Sequence, residues 1–188
     1  MTTPMETEIK LAVRSAAWAR RLVSAAGFRL AKKRAFESNL VFDTPSLRLR
    51  KAASLLRVRE MGKDAKLTYK GPPQPSKHKN REELELEASD ARALQAILER
   101  LGFRLVFRYE KYRSEYQRDR RGVITLDETP IGVYLELEGP PQWIDRTARG
   151  LGFAETEYIT ESYGELYREW CRRHRVKPGN MVFRKSPA

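Results

Sequence analysis

The chain has 188 residues, 40% hydrophobic content, a formal charge of +12 and a pI near 10.0, which suits one domain with a sizeable core and an anionic partner: a phosphate-rich small molecule, nucleic acid or a membrane surface. The same figures exclude several classes. No apolar run approaches the roughly 20 residues that span a bilayer, the first residues lack the basic-then-apolar pattern of a secretion signal, and a lone cysteine, Cys171, allows neither an internal disulfide nor a thiolate metal site, so a cytoplasmic protein that does not enter membranes is expected.

In chain order, the first element is "METEIKLAV", where Glu6, Glu8 and Lys10 take every second position with Thr7, Ile9 and Leu11 between them. A strand sends alternate residues to opposite faces, so one face collects two carboxylates and an ammonium while the other is mostly apolar. "SAAWARRLVSAAG" then sets Trp18, Leu22, Val23 and Ala26 on a helical stripe, with Ser15 as N-cap and Gly27 as the stop. After the turn "DTPS", "LLRVRE" places Arg57 and Arg59 two apart, and "AKLTYKG" puts Lys66, Thr68 and Lys70 on one parity. The proline-rich "GPPQPSKHKN", residues 71–80, reads as a mobile loop between strands.

The pattern resumes in "REELELEA", which aligns Arg81, Glu83, Glu85 and Glu87. "SDARALQAILERLG" repeats the helix design, capped at Ser89, stopped at Gly102 and striped with Leu94, Ile97, Leu98 and Leu101. Three further strands follow: "EKYRSEY" aligns Lys111, Arg113 and Glu115, "VITLDE" aligns Thr125 and Asp127, and "GVYLELEG" aligns Tyr134, Glu136 and Glu138. "PQWIDRTARGLG" is a third helix, and "TESYGELYREWCRRH" a last one whose Tyr163, Leu166, Tyr167 and Trp170 read as core packing. Three helix stops are Gly followed by Phe, at residues 27–28, 102–103 and 152–153, a weak repeat of strand then helix. Residues 1–175 form a single domain in this reading, and 176–188 a loose basic tail.

Helices with one apolar stripe need an apolar surface to cover, and the strands offer Ile9, Leu11, Val58, Leu67, Leu84, Leu86, Leu135 and Leu137. The charged faces then point away from the helices, and closing about eight antiparallel strands turns that side into a lumen. The expected fold class is therefore α+β: a closed eight-stranded antiparallel β-barrel, or tunnel, with flanking helices. Unpaired charges in such a lumen cost several kcal/mol each, so an occupant is expected. The carboxylates Glu6, Glu8, Glu83, Glu85, Asp127, Glu136 and Glu138 suit hard divalent cations, Mg²⁺ or Mn²⁺, which take oxygen ligands. Lys10, Arg57, Arg59, Lys66, Lys70, Arg81, Lys111 and Arg113 suit phosphate oxygens. Cross-strand salt bridges on a solvated sheet would explain any single pair, but not seven segments of one parity.

The ordered series "ETEIK", "VFDTP", "LLRVR", "KLTYKG", "EKYRSEY", "ITLDE", "IGVYLELEG" and "ESYGEL", over roughly residues 5–168, resembles the CYTH superfamily, the triphosphate tunnel metalloenzymes. The resemblance implies an eight-stranded tunnel acting on triphosphate-containing small molecules with Mg²⁺ or Mn²⁺. By motif it makes Glu6, Glu8, Glu136 and Glu138 metal ligands, with Glu83 and Glu85 as further candidates, while Glu87 is set aside. Lys10, Arg57, Arg59, Lys66, Lys111 and Arg113 resemble the phosphate clamp, with Lys70 and Arg81 on the same parity. Asp127 resembles the acid that binds or orients a metal, so Lys10, Arg57, Arg59 and Asp127 form the implied catalytic group.

Two chemistries share such a scaffold: hydrolysis of the terminal phosphate by in-line water attack, and cyclisation of ATP to cyclic AMP and pyrophosphate as in class IV adenylate cyclases. Hydrolysis is the expectation, because nothing in the sequence marks a base-specific pocket; Phe42, Tyr69 and the 71–80 loop are the only candidates. The substrate is left open among inorganic triphosphate, ATP, another nucleotide and thiamine triphosphate, acted on by a monomer or a homodimer. A non-catalytic RNA-binding barrel is the remaining alternative, against which stand the interleaved carboxylates and the lack of a stacking motif on any strand. His78, His174 and Cys171 read as structural or surface residues.

Overall fold

The computed structural model describes residues 4–62 and 64–184. Eight strands, β1 (Met5–Val13), β2 (Arg29–Asp43), β3 (Leu55–Met61), β4 (Asp64–Lys70), β5 (Lys79–Ala88), β6 (Arg104–Gln117), β7 (Val123–Thr129) and β8 (Gly132–Glu138), form a closed barrel in the order β1-β5-β4-β3-β2-β6-β7-β8. Every pairing is antiparallel. The register opposes like parity to like: Ile9 faces Leu137 and Leu11 faces Leu135, while Lys10 faces Glu136 and Glu8 faces Glu138. One face of each pair is thus apolar and the other charged, as alternation requires.

Helices α1 (Ala16–Ala25) and α4 (Pro141–Gly150) cover β1, β7 and β8, closing a core of Ile9, Leu11, Val23, Ile124, Leu126, Leu135, Leu137, Trp143 and Ile144. Helix α3 (Ala91–Arg100) lies over β3 and β4, where Leu98 joins Leu40, Phe42 and Val58. Ser15 caps α1 as expected, but Asp90, not Ser89, caps α3: its Oδ1 accepts from the Arg92 and Ala93 amides at 2.9 Å. After α1, α3 and α4 the chain turns through Gly27, Gly102 and Gly152 at φ of 83°, 88° and 88°, a left-handed conformation that only glycine adopts freely. The following Phe amide bonds back to the helix in each case, as Phe28 to Val23, Phe103 to Leu98 and Phe153 to Ala148, so the Gly-Phe repeat is a repeated helix stop.

Three expectations need correction. Leu84 and Leu86 are not covered but 48% and 61% exposed, because α3 sits over β3 and β4 and leaves the outer face of β5 bare; Ile97 and Leu101 of the helix stripe are exposed too. The 71–80 segment is fixed at its far end: His78 is buried with Nε2 2.7 Å from Asp145 Oδ1, and Lys79 and Asn80 already belong to β5. The basic tail is not loose at residues 180–183. Beyond the reach of β7 the Met181 amide donates to Arg108 O and its carbonyl accepts from the Glu110 amide, both at 2.9 Å, and Met181 is 1% exposed; residues 185–188 lie outside the described residues. Two further helices, α2 (Arg48–Lys51) and α5 (Tyr163–His174), complete the fold.

Candidate active site in the charged tunnel

The lumen is a cavity of about 280 Å³ lined by nine lysine and arginine side chains and seven glutamates. That is room for several waters at ~30 Å³ each, or for one compact polyanion. All the predicted cations, Lys10, Arg57, Arg59, Lys66, Lys70, Arg81, Lys111 and Arg113, line it, as do Glu6, Glu8, Glu83, Glu85, Glu136 and Glu138. The open choice on β5 resolves to Glu83 and Glu85, with Glu87 outside the cavity lining.

Asp127 lies outside the cavity lining. It is fully buried on β7, and its oxygens already accept from Lys111 Nζ (2.8 Å), Arg113 Nε and Nη2 (2.7 and 2.6 Å) and the Tyr163 hydroxyl (2.7 Å). With four donors on its two oxygens, it holds Lys111, Arg113 and Tyr163, which themselves line the cavity. Glu136 extends this knot through Lys10 at 3.4 Å, Thr125 at 3.4 Å and a contact with Arg113. Burial alone would lift Glu136 and Glu8. Arg113, Lys111 and Lys10 instead hold Glu136 well below the usual carboxylate range, and Lys10 does the same for Glu8. Lys10, 2% exposed and 3.2 Å from Glu8, is in turn raised by Glu8 and Glu136 against its own burial.

The facing sector is unbalanced. Arg57 gives one nitrogen to the Tyr109 hydroxyl (3.2 Å) and another to Thr68 (3.1 Å), yet its Nε, the Nζ of Lys79 and the Nε of Arg81 are buried with no hydrogen-bond partner among the described residues. Burial, then Lys10, bring the Lys79 ammonium down to about 8, Glu8 notwithstanding. Arg59 is lowered by burial and by Arg57, although Glu37 lies 3.5 Å away. At one end carboxylates crowd instead. Desolvation, then Glu6 and Glu8, push Glu138 up to about 7, and desolvation with Glu6 beside it lifts Glu83 to about 7 although Lys70 is 3.1 Å away. An anion would relieve the first imbalance and a cation the second.

Whether a divalent cation fits is decided by this acidic end. Among the described residues no three carboxylate, imidazole or thiol groups already converge as a formed metal centre. The donors are all oxygen, however, and Glu6 and Glu8 stand close enough to Glu138 to raise it, which suits a hard cation. Glu136 and Asp127 fit less well, because their oxygens face Lys10, Lys111 and Arg113.

Three residues of this constellation escaped the sequence reading. Lys79 sat in the supposed loop. Glu37 on β2, held at about 2 by Lys111, Arg113 and Arg59 against its burial, is the one charged residue of its parity between Ala35 and Val41. Tyr163, read as helix core, puts its hydroxyl on Asp127 and its ring under Lys111 (5.1 Å) and Lys10 (5.4 Å).

A closed antiparallel barrel with such a lumen defines a tunnel protein whose interior is lined by cations and carboxylates. The CYTH domain family matches residues 4–163, and the chain belongs to that family. A Methanocaldococcus jannaschii protein named "Putative adenylate cyclase" is 29% identical over 134 residues, covering 71% of this chain and 76% of its own length. Among solved structures, the PH1819 protein of Pyrococcus horikoshii superposes with a TM-score of 0.74 at 27% identity over 87% of this chain and 98% of the other. A Hippeastrum protein described as a candidate adenylyl cyclase with a dominant triphosphatase activity gives 0.64 at 23% identity over 87% and 95%, a likeness of fold. No helix among the described residues is long and apolar enough to cross a membrane.

Proposed function

We propose that this protein is a divalent-metal-dependent triphosphate hydrolase that releases the terminal phosphate of inorganic triphosphate or a nucleoside triphosphate. The observation that carries the reading is the set of buried nitrogens on Arg57, Lys79 and Arg81 that make no hydrogen bond among the described residues around one cavity, the carboxylates beside Lys79 and Arg81 standing off at 3.6 and 3.8 Å. Orphaned buried donors cost about 1–3 kcal/mol each, and phosphate oxygens are the acceptors such a cationic wall recognises. Arg57, Arg59 and Arg113 fork onto the phosphate chain, while Lys10, Lys70, Lys79 and Lys111 add point charge. As water attacks in line at the terminal phosphorus, charge spreads over the equatorial oxygens, where these preorganised cations act. Asp127 and Tyr163 keep Lys111 and Arg113 in place. Glu6, Glu8 and Glu138 would hold Mg²⁺ or Mn²⁺, which supplies neutralisation of the phosphate chain when bound.

Cyclisation of a nucleotide is the second reading, favoured by one observation: a cleft of about 490 Å³ adjoins the tunnel and could seat a base and ribose. The deciding experiment incubates the protein with tripolyphosphate, ATP and thiamine triphosphate, with Mg²⁺ and with Mn²⁺, and resolves orthophosphate from pyrophosphate and cyclic AMP. Hydrolysis predicts orthophosphate as the main product from at least one substrate. Stoichiometric pyrophosphate and cyclic AMP from ATP, with little orthophosphate from any substrate, would establish the second reading instead.

A further inference from the structure

The adjoining cleft shares Leu55, Lys79, Arg81 and Ser162 with the tunnel, so the two cavities meet at one mouth. Their linings differ in kind. The tunnel wall is mostly polar, whereas the cleft is mostly apolar, with Val41, Leu47, Phe107, Tyr167 and Pro178 around it. Phe107 and Tyr167 stack on each other at 5.9 Å and give it a rigid aromatic side.

The outer wall of the cleft comes from residues 178–180, part of a segment that lies beyond the family match, which ends at residue 163. That segment is fastened at residues 180–183. Asn180 Oδ1 accepts from the Arg108 amide at 2.9 Å, and its carbonyl accepts from the Tyr167 hydroxyl at 3.2 Å. Met181 is buried and bridged to β6, and the Phe183 amide donates to Glu110 at 3.0 Å while its ring packs on Tyr112 at 5.2 Å. A wall held this way is preorganised, and the ordering cost of a ligand against it is small.

Inorganic triphosphate is charged at both ends and has nothing to place in an apolar cleft. A triphosphate ester has: its phosphates suit the tunnel while its organic body, attached at one end, reaches the mouth. We propose that the C-terminal segment, residues 176–183, is a selectivity element that walls this cleft around the organic body of a triphosphate ester and so favours such esters over inorganic triphosphate. The proposal rests on the reading of the tunnel as a triphosphate site and adds to it which triphosphates fit.

The test measures dissociation constants of ATP and of tripolyphosphate by calorimetry on the full-length protein in EDTA, where metal-dependent turnover is silent. The wild type is expected to bind ATP at least as tightly as tripolyphosphate despite the lower charge of ATP. Two variants then alter the wall: a chain ended after Arg175, and Gly179→Trp, placed where an added Cβ meets no atom within 4 Å and the segment keeps its anchors. Each is expected to weaken ATP relative to tripolyphosphate by at least fivefold. Should the shortened chain not fold, Gly179→Trp decides. A smaller change of the ratio in Gly179→Trp with an unaltered circular dichroism spectrum, or a wild type that prefers tripolyphosphate, overturns the proposal. Failure of both ligands to bind the wild type overturns the tunnel reading and this inference with it, whereas a product pattern of cyclic AMP alone overturns hydrolysis and leaves the selectivity result standing.

Discussion

Around Asp127 each charge has its partner close by, with Lys111, Arg113 and Tyr163 all within 2.8 Å of its oxygens. Across the lumen, Arg57, Lys79 and Arg81 each keep a buried nitrogen that makes no hydrogen bond among the described residues, with Glu8 and Glu6 no nearer than 3.6 Å to Lys79 and 3.8 Å to Arg81. Both sectors are built from arginine, lysine and carboxylate on period-two strands, so residue type does not separate them; satisfaction does. In the knot the cations are held in place by carboxylates and a hydroxyl, whereas in the open sector hydrogen-bonding capacity is left over. A buried ion pair is weak evidence for stability but strong evidence for position, and the orphaned donors are the complementary sign of a site whose partner arrives from outside.

The comparison breaks first at Asp127. Asp127→Ala removes the nearest counter-charge of buried Lys111 and leaves that residue to Glu37 and Arg113 to Glu136, and it is expected to lower the unfolding free energy by about 3–5 kcal/mol, read from urea denaturation. An unaltered midpoint would show that the knot is not structural. Arg57→Ala acts in the other sector. It should cost about 2–4 kcal/mol in kcat/KM on any triphosphate that is turned over, while the denaturation midpoint stays unchanged or rises. Equal losses of stability in the two variants would erase the distinction between the sectors.

Tyr163→Phe sharpens the comparison by removing one donor from Asp127 while leaving the ring under Lys10 and Lys111. A loss of about 0.5–1.5 kcal/mol in stability is expected, together with a smaller fall in kcat/KM than Arg57→Ala produces. The smallest effect belongs to Glu138. Its folded pKa of about 7 lies above the ordinary 4.5, so the folded state holds its proton more tightly than the unfolded chain. The corresponding stability is fully present below about pH 4.5 and is lost as pH rises through about 7. In EDTA the melting temperature should decline across that window, and Glu138→Gln should flatten part of the decline, Glu83 contributing the rest. An identical slope in the variant would remove Glu138 from the crowded acidic end.

Seven strands were legible because each carries two or more polar residues at period two, and the lumen followed once the helices claimed the apolar faces. The strand β2 was not, since Glu37 is the one charged residue among the inward-facing Glu37, Asn39 and Val41, and its pairing with β6 shifts register twice before Ala35. Tyr163 was hidden for a different reason. Helical spacing reports which residues share a face, and a residue at the first turn of α5 can satisfy that spacing while its hydroxyl crosses into the tunnel. Leu84 and Leu86 show the limit from the other side: alternation says which face of β5 is apolar, but not which faces the helices reach. Parity places Asp127 on the inner face without telling that Lys111, Arg113 and Tyr163 will surround it.

Barrel closure has a temporal side. Strand β1 carries Glu6, Glu8 and Lys10, and its partners are β5 and β8, with Glu8 opposite Glu138. A chain emerging from the ribosome makes β1 first and its second partner only some 130 residues later. Until then the strand is an unpaired edge with an apolar side, and its pairing is among the most non-local events in the fold, which slows folding and lengthens exposure. The alternating charges that later serve the lumen are in the meantime a guard against edge-to-edge aggregation. They also tie the cavity to completion: a nascent chain halted before β8 already carries every lysine and arginine of the lumen, but no closed barrel to hold them around one cavity.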